Sequence, residues 1–340
     1  MRILYGVCGE GYGHSSRSKV IIQYLISKGH QVLVITYGQA YPILRHFPSI
    51  KVNGLSISFQ NNRLSFGKTI IDNASNMLSN LKNWHSIKRK IDAFYPDVCI
   101  TDMEPLVPII AYWRNLPLIS IDNQHRLTHL SLKVPNQYKK DYFLAKAFVN
   151  RCVSDANAFI ILSFTKEKPS GKKAYLVSPI LRKEVVNLKT VKGTHILVYQ
   201  TKPNNALLKT LRLIPEKFII YGHNKEKKDA NLFFKKTGHG MLKNLSSCKA
   251  VIATAGFTLI SESLHLKKPY FAVPLQGQFE QTLNALFLKK SGYGAFSENP
   301  SLSDLQKFLF NIPQYKKALK SYKSNPEEAI HALDKVLKNL

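Results

Sequence analysis

The chain has 340 residues, 44% hydrophobic and 11% aromatic, which is long and apolar enough for two packed domains and excludes a disordered protein. Its formal net charge is +28, with 18 basic against 8 acidic residues in 1–150 and 31 against 13 in 151–340. Charge of this size either attracts nucleic acid, acidic lipid or a phosphate-bearing partner, or is a Lys-rich composition decorating solvated faces; it says nothing about fold.

In chain order, RILYGVC (2–8) predicts a strand, followed by a Gly-rich loop and a helix from Ser15 to Lys28. Val20, Ile21, Tyr24 and Leu25 fall at helical spacing there, and Gly29 suits the C-cap. QVLVITY is the next strand, and this βαβ unit predicts a parallel sheet with right-handed crossovers. Further strands are expected at 97–101, 118–121 and 158–163, with helices at 74–94, 106–115 and 139–154. The segment 164–193 is rich in Lys, Pro, Gly and Ser and reads as a domain boundary.

A second α/β set then begins: HILVYQ, a helix near 205–212, KFIIYGH, a helix at 243–248, KAVIATA, a helix at 258–266, YFAVP, and a helix at 280–291. In the closing SNPEEAIHALDKVLKNL, Asn325 can cap a helix, Pro326 takes its first position, and Glu327 and Glu328 sit in its first turn. The pattern predicts an α/β protein of two doubly wound, Rossmann-like domains facing each other across a cleft. The expected boundaries are an N-terminal acceptor-side domain 1–165, a linker 166–193, a ligand-binding domain 194–312, and C-terminal helices 313–340 that pack back toward the first domain.

Cys8, Cys99, Cys152 and Cys248 lie far apart without a C-x-x-C pair, so reduced thiols and a cytoplasmic location are expected. The N-terminus is too short in its apolar part for a signal peptide. The apolar region 105–121 is broken by Arg114, Asn115 and Pro117, too early to span a bilayer.

The richest stretch is TAGFTLISESLHLKKPYFAVPLQGQFEQTLNA (254–285). Two strand-to-helix junctions side by side put two helix N-termini at one crevice, where backbone N–H groups and the helix dipole favour a diphosphate. Glu262, one and a half turns into the first helix, suits paired ribose hydroxyls, although alone it could be a solvated carboxylate. Glu280 and Gln281 suit the hydroxyls of a sugar, so a nucleotide-sugar fits all three.

CGEGYGH (8–14) fails the G-x-G-x-x-G fingerprint because His14 stands at the last glycine and no acid closes the second strand. It fails a P-loop as well, having no G-K-[ST]. Gly9, Gly11 and Gly13 leave a loop of close backbone approach presenting one imidazole at a helix N-terminus. The dipole there favours the neutral ring, which suits a general base; the bland reading is a histidine capping its own helix or packing on Tyr12. Asp102 ends a strand on the ligand-binding rim and could orient His14 as the second half of a dyad. Asp102-Met103-Glu104 also has a D-x-D look, without clustered His or Cys to complete a metal site. Asp122-Asn123-Gln124-His125 closes another strand on this rim, either lining the acceptor side or forming a polar loop.

GEGYGHSSR, TDMEP, ISIDNQH and TAGFTLISE…PLQGQFEQTLNA together resemble the GT-B glycosyltransferases related to MurG and the UDP-glycosyltransferases, most nearly the MJ1255-type branch. The resemblance implies an inverting, metal-independent transferase. It would move a hexose or N-acetylhexosamine from a nucleotide-sugar, with a lean to UDP, to a lipid or cell-envelope polysaccharide, with no cofactor beyond that co-substrate. His14 would be the base and Asp102 its partner. Gly256, Phe257 and Thr258 would cradle the diphosphate, Glu262 would hold the ribose, Glu280 and Gln281 would hold the sugar, and Gln278 would also bind the donor. Asn284 would brace that loop, and Arg182 in SPILR resembles a hinge arginine reaching the donor. Glu104, Asp122 and His125 would lie on the acceptor side. One departure is YQTKPNN where MurG has a Gly/Ser-rich loop, with Lys202 a possible substitute for its diphosphate contacts.

A UDP-sugar 2-epimerase of the same fold is an alternative that needs no acceptor. A non-enzymatic binder of nucleic acid or another polyanion would explain the charge, but no recognition helix, zinc spacing or RNP-like motif is present, so no specific nucleic acid is expected. YKKDYFLAKAFV (138–149) interleaves Lys139, Lys140 and Lys146 with Tyr142, Phe143, Phe148 and Val149. This suits peripheral binding to the anionic inner face of the cytoplasmic membrane, or a half-buried core helix.

Overall fold

A computed structural model of the chain describes residues 1–54, 59–60, 63–64, 82–171, 173–236, 238 and 240–340. It divides into two compact units, Met1–Arg182 with Asn325–Leu340, and Lys183–Ser324.

The first unit is built on β1 (Arg2–Val7), β2 (Gln31–Thr36) and β3 (Ser49–Lys51); a separate antiparallel pair of two-residue strands, β4 (Phe59–Gln60) and β5 (Arg63–Leu64); and β6 (Val98–Asp102), β7 (Leu118–Asp122), β8 (Ala158–Leu162) and β9 (Ala174–Val177). The main sheet runs β3-β2-β1-β6-β7-β8-β9, every pair parallel. Its central strands are buried along nearly their whole length, which is why they read as continuous apolar runs rather than alternating ones. Within 164–193, the short run AYLV supplies edge strand β9.

The helix after β1 starts at Tyr12, three positions before the expected Ser15, because Gly11 at its N-cap adopts φ 78 and turns the chain straight into the helix. His14 therefore sits inside the first turn. The helix expected over 74–94 is seen as Trp84–Phe94; residues 74–81 lie outside the described residues. The last helix, Glu328–Lys338, packs on β8 and β9, and Asp334 accepts from the Tyr24 hydroxyl at 2.5 Å. Its helical hydrogen bonding begins after Pro326, with the Asn325 side chain accepting from the Glu327 N–H at 3.2 Å.

The second unit contains β10 (Ile196–Tyr199), β11 (Phe218–Tyr221), β12 (Lys227–Asp229), β13 (Leu232–Phe234), β14 (Ala250–Ala253), β15 (Tyr270–Ala272) and β16 (Gly294–Phe296). The order is β12-β13-β11-β10-β14-β15-β16, parallel except for the β12–β13 hairpin. Its core joins Ile196, Val198, Phe218, Ile252 and Phe271 with Leu207 and Leu211 of the helix Asn205–Arg212 and Phe308 of the helix Leu302–Phe310. Both units are thus doubly wound α/β, as the alternation of strands and helices predicts.

Candidate active site

In the first sheet the chain runs from β1 to β2 and β3 on one side before β6 opens the other side. Ligands of open α/β sheets bind outside the carboxyl ends of the strands at such a reversal. Val7 pairs with Asp102 there, and the Cys8 N–H donates to the Asp102 carbonyl at 3.0 Å. The loop after β1 passes so close to Tyr37 that a Cβ on Gly9 would lie 2.4 Å from its ring and carbonyl oxygen. The glycines thus fold the loop tightly over its own sheet and deliver His14, from the helix Tyr12–Ser27, above Asp102.

His14 Nδ1 lies 2.7 Å from Asp102 Oδ1. A bare ring nitrogen at that distance from a carboxylate would set two lone pairs against each other, so Nδ1 carries the proton and donates it. Nε2 is then an acceptor, with the Gln124 amide nitrogen 3.4 Å away. Asp102 is fully buried and also accepts from Arg17 Nε (2.7 Å), Arg17 Nη2 (2.5 Å) and the Ser18 hydroxyl (3.0 Å). Burial alone would raise the Asp102 carboxyl; the Arg17 charge and the hydrogen bonds from Arg17 and His14 outweigh it and hold it below its ordinary value. Arg17 and Ser18 were not singled out by the sequence motifs. His14, Arg17 and Ser18 nevertheless stand at i, i+3 and i+4, the spacing that places them on one helix face.

Glu104, Asp122 and His125 are each 1% exposed and direct their polar atoms at protein partners. Glu104 accepts from the N–H groups of Leu106 (3.1 Å) and Val107 (2.9 Å), opening the helix Leu106–Trp113. Burial pushes its carboxyl up to about 7 against those two bonds. Asp122 accepts from Ser120 (2.6 Å), the His125 N–H (2.8 Å) and His125 Nδ1 (2.7 Å), while His125 Nε2 reaches the Val153 carbonyl at 3.2 Å. With an acceptor at each ring nitrogen, the site fits an imidazolium. In this structure these three residues brace the rim loops.

The second sheet reverses between β10 and β14, with Tyr199 paired to Ala253. The two following loops are joined by a 2.9 Å hydrogen bond between the Thr201 and Thr254 hydroxyls. This brings the loop carrying Lys202, a half-buried amine lowered by desolvation, beside the junction Thr254–Gly256. The helix Phe257–His265 starts there with Gly256 at its N-cap and no side-chain cap. Glu262 is 2% exposed on its inner face. The helix Phe279–Lys290 opens alongside, also without a side-chain cap, and carries Glu280 in its first turn. Gln281 accepts from the Leu275 N–H at 3.1 Å and donates to Gln278 Oε1 at 2.5 Å, so both amides fasten the turn around Gly277 (φ 78). Arg182 is half-buried and ends the first of the two segments that make up the first unit.

Among the described residues, no group of three or more His, Cys, Asp or Glu is placed to hold a metal ion. None of their helices is long and apolar enough to cross a membrane. The four cysteines are free. On the helix Lys139–Cys152 only Val149 and Cys152 are buried, while Phe143, Leu144 and Phe148 are exposed.

Two doubly wound units, each with a reversal of strand order in its sheet, match the fold of Acinetobacter baumannii MurG, with a TM-score of 0.63 at 18% identity over 99% of both chains. The protein is a GT-B glycosyltransferase of the MurG and UDP-glycosyltransferase superfamily. The chain belongs to Glycosyl transferase family 1, whose family model matches residues 1–313. An uncharacterized glycosyltransferase of Methanosarcina mazei is 23% identical over 342 aligned residues, covering 86% of this chain and 85% of its own. A UDP-N-acetylglucosamine–N-acetylmuramyl-(pentapeptide) pyrophosphoryl-undecaprenol N-acetylglucosamine transferase of Bacillus cereus is 28% identical over 200 residues, 50% of this chain and 56% of its own.

Proposed function

We propose that the enzyme moves a hexose or N-acetylhexosamine from a UDP-sugar to a lipid-carried or cell-envelope polysaccharide acceptor, inverting the anomeric centre without a metal or other cofactor. The observation that carries the reading is the His14–Asp102 pair, set at the reversal of the first sheet with Nδ1 committed to the carboxylate. The named activity of the Bacillus cereus relative supports the donor and acceptor classes.

In this mechanism, Nε2 of His14 takes the proton of the acceptor hydroxyl as that oxygen forms its bond to C1 of the sugar. The C1–O bond to the diphosphate breaks, and its electron pair leaves with UDP. Asp102 keeps the ring oriented and faces the charge it gains. The second unit holds the donor, with the diphosphate at the Gly256–Thr258 helix start, the ribose on Glu262 and the sugar near Glu280. Charge developing on the leaving group meets that helix N-terminus and a cation, Lys202 or Arg182, in the part a metal ion would otherwise play. General-base assistance of this kind contributes roughly 10²–10⁴-fold.

The exposed Phe143, Leu144 and Phe148, flanked by Lys139, Lys140 and Lys146, support peripheral attachment to an anionic leaflet, where a lipid-carried acceptor would be found. The test is a panel of UDP-sugars incubated with a membrane lipid extract, read as UDP release and acceptor glycosylation. Wild type is expected to turn over one donor. His14→Ala is expected to lose transfer while still binding UDP in a calorimeter, and equal activity in that variant would remove His14 as the base.

A further inference from the structure

The relation of Arg17 to the His14–Asp102 pair goes beyond a plain dyad. Its guanidinium is 5% exposed and lies along the Asp102 carboxylate, Nε on Oδ2 at 2.7 Å and Nη2 on Oδ1 at 2.5 Å. Nη1 donates to Asn123 Oδ1 at 2.6 Å, and Nη2 is 3.5 Å from Gln124 Oε1. Arg17 Nη2 is also 2.9 Å from His14 Nδ1. A guanidinium cannot accept a hydrogen bond, and Nδ1 carries a proton, so these are two donors converging on one oxygen. His14 thus faces a carboxylate and a guanidinium at nearly the same distance.

We propose that Arg17 is a positioning residue for sugar transfer: its charge offsets Asp102, so that the carboxylate orients the His14 ring without drawing it into a standing ion pair. An uncompensated buried carboxylate beside an imidazole favours the imidazolium, whose Nε2 cannot take a proton from an acceptor hydroxyl. With Arg17 in place the carboxylate fixes the tautomer, and Nε2 is held as the acceptor. Asn123 and Gln124, from the loop after β7, fix the guanidinium in turn. The inference rests on His14 being the base of the proposed reaction.

Further titratable and charged groups near the site are Glu10 in the glycine loop, Tyr5 and Cys8 on and after β1, Tyr37 after β2, Glu104 after β6, and Asp122 and Arg126 at the end of β7 and after it. Burial raises the Tyr5, Cys8 and Tyr37 groups and leaves them neutral at physiological pH. Asp122 is engaged by His125. The guanidinium in contact with both His14 and Asp102 is that of Arg17.

The experiment is long-range ¹H–¹⁵N NMR of the full-length protein labelled at histidine, titrated with pH, with His14 assigned from the resonance lost in His14→Gln. Wild type is expected to show the Nδ1–H tautomer, and the Nε2–H tautomer would overturn the proposal without any variant. In Arg17→Gln, which leaves the Asp102 carboxylate uncompensated, the His14 ring should be drawn toward the imidazolium pattern at neutral pH. In Arg17→Lys, which keeps the charge, it should stay close to wild type. An unmoved titration in Arg17→Gln, or an equal shift in Arg17→Lys, overturns the offset. Because no turnover enters the comparison of the two Arg17 variants, its failure is separate from that of the base assignment, which rests on the activity of His14→Ala.

Discussion

Asn284 Nδ2 donates to the Ala255 carbonyl at 2.9 Å, and both residues are fully buried. The bond crosses from the helix Phe279–Lys290 to the junction before the helix Phe257–His265, so one amide sets the spacing of the two helix N-termini proposed to hold the donor. Asn284→Leu keeps the branched heavy-atom skeleton and leaves the Ala255 carbonyl without this donor, a loss of about 1–3 kcal/mol. A fall of several degrees in Tm is expected, together with UDP affinity weakened about tenfold (~1.4 kcal/mol) as the preorganised spacing relaxes. Calorimetry with UDP on the folded variant checks the second part; an unchanged Kd would reduce Asn284 to a packing role.

The buried pair Asp122–His125 makes a pH-dependent contribution to stability. Burial opposes charge on both members, but each partner's charge wins: Asp122 is held below its ordinary value and His125 above its own. The Asp122 part is present above the unfolded carboxyl value of 3.8 and is lost as pH falls through the depressed folded value. The His125 part is full below the unfolded value of 6.5 and is lost as pH rises through the raised folded value. Asp122→Asn should therefore cost most between these limits, about 3–5 kcal/mol for breaking one side of a buried pair. Urea unfolding of wild type and variant at pH 5.5 gives the difference; a loss below 1 kcal/mol would mean that water reaches the pair.

This pair also marks how far the sequence could be read. That Asp102, Glu104, Asp122 and His125 stand on one rim was legible, because each follows an apolar run that became a parallel strand. Which of them turn inward was not, since strand ends place every following residue on the same rim and only packing buries His125 against Val153 and Phe159. His14 and Asp102 were legible as a pair from the glycine loop and the strand end. Arg17 is not legible in the sequence because an arginine in a helix usually reads as a solvated charge. Its inward face follows from the helix starting at Tyr12, set by the backbone of Gly11. Gln281 carries a tie that the sequence does not show, its amide joining Leu275 and Gln278, beside the sugar contact that the resemblance implies. The strands β9 and β12 are not legible because AYLV is short within a polar segment, and KKD has no apolar alternation.

Glu104 provides a pH effect opposite in sign to that of Asp122. Its carboxyl is raised by burial from 4.5 to about 7, so between those values the folded chain binds a proton that the unfolded chain has released. Stability from this group is fully present below pH 4.5 and declines as pH rises toward 7, by up to roughly 3 kcal/mol. The unfolding free energy of wild type minus that of Glu104→Gln should thus shrink from pH 5 to pH 8. Urea midpoints at the two pH values test it, and a constant difference would show that Glu104 is ionised throughout.

The helix Lys139–Cys152 carries the proposed contact with a membrane. Phe143, at 63% exposure, shares one face with Leu144, Ala147 and Phe148, where three-to-four-residue spacing aligns them, and basic residues lie at Lys139, Lys140, Lys146 and Arg151. An apolar face of this kind enters the headgroup boundary while the cations meet acidic lipid, and neither part suffices alone. Flotation with vesicles of phosphatidylglycerol and phosphatidylcholine should carry the wild type to the top fraction at low salt. Phe143→Ser with Phe148→Ser should stay near the bottom, because each phenyl ring withdrawn from the bilayer removes roughly 1.5–3 kcal/mol. Raising salt should weaken the wild type as the lipid charge is screened over about 8–10 Å. If the double variant floats as well as wild type at low salt, charge elsewhere on the chain does the binding and this face does not. If neither floats, the peripheral attachment itself is withdrawn, and the assignment of His14 is untouched because it rests on a different part of the first unit.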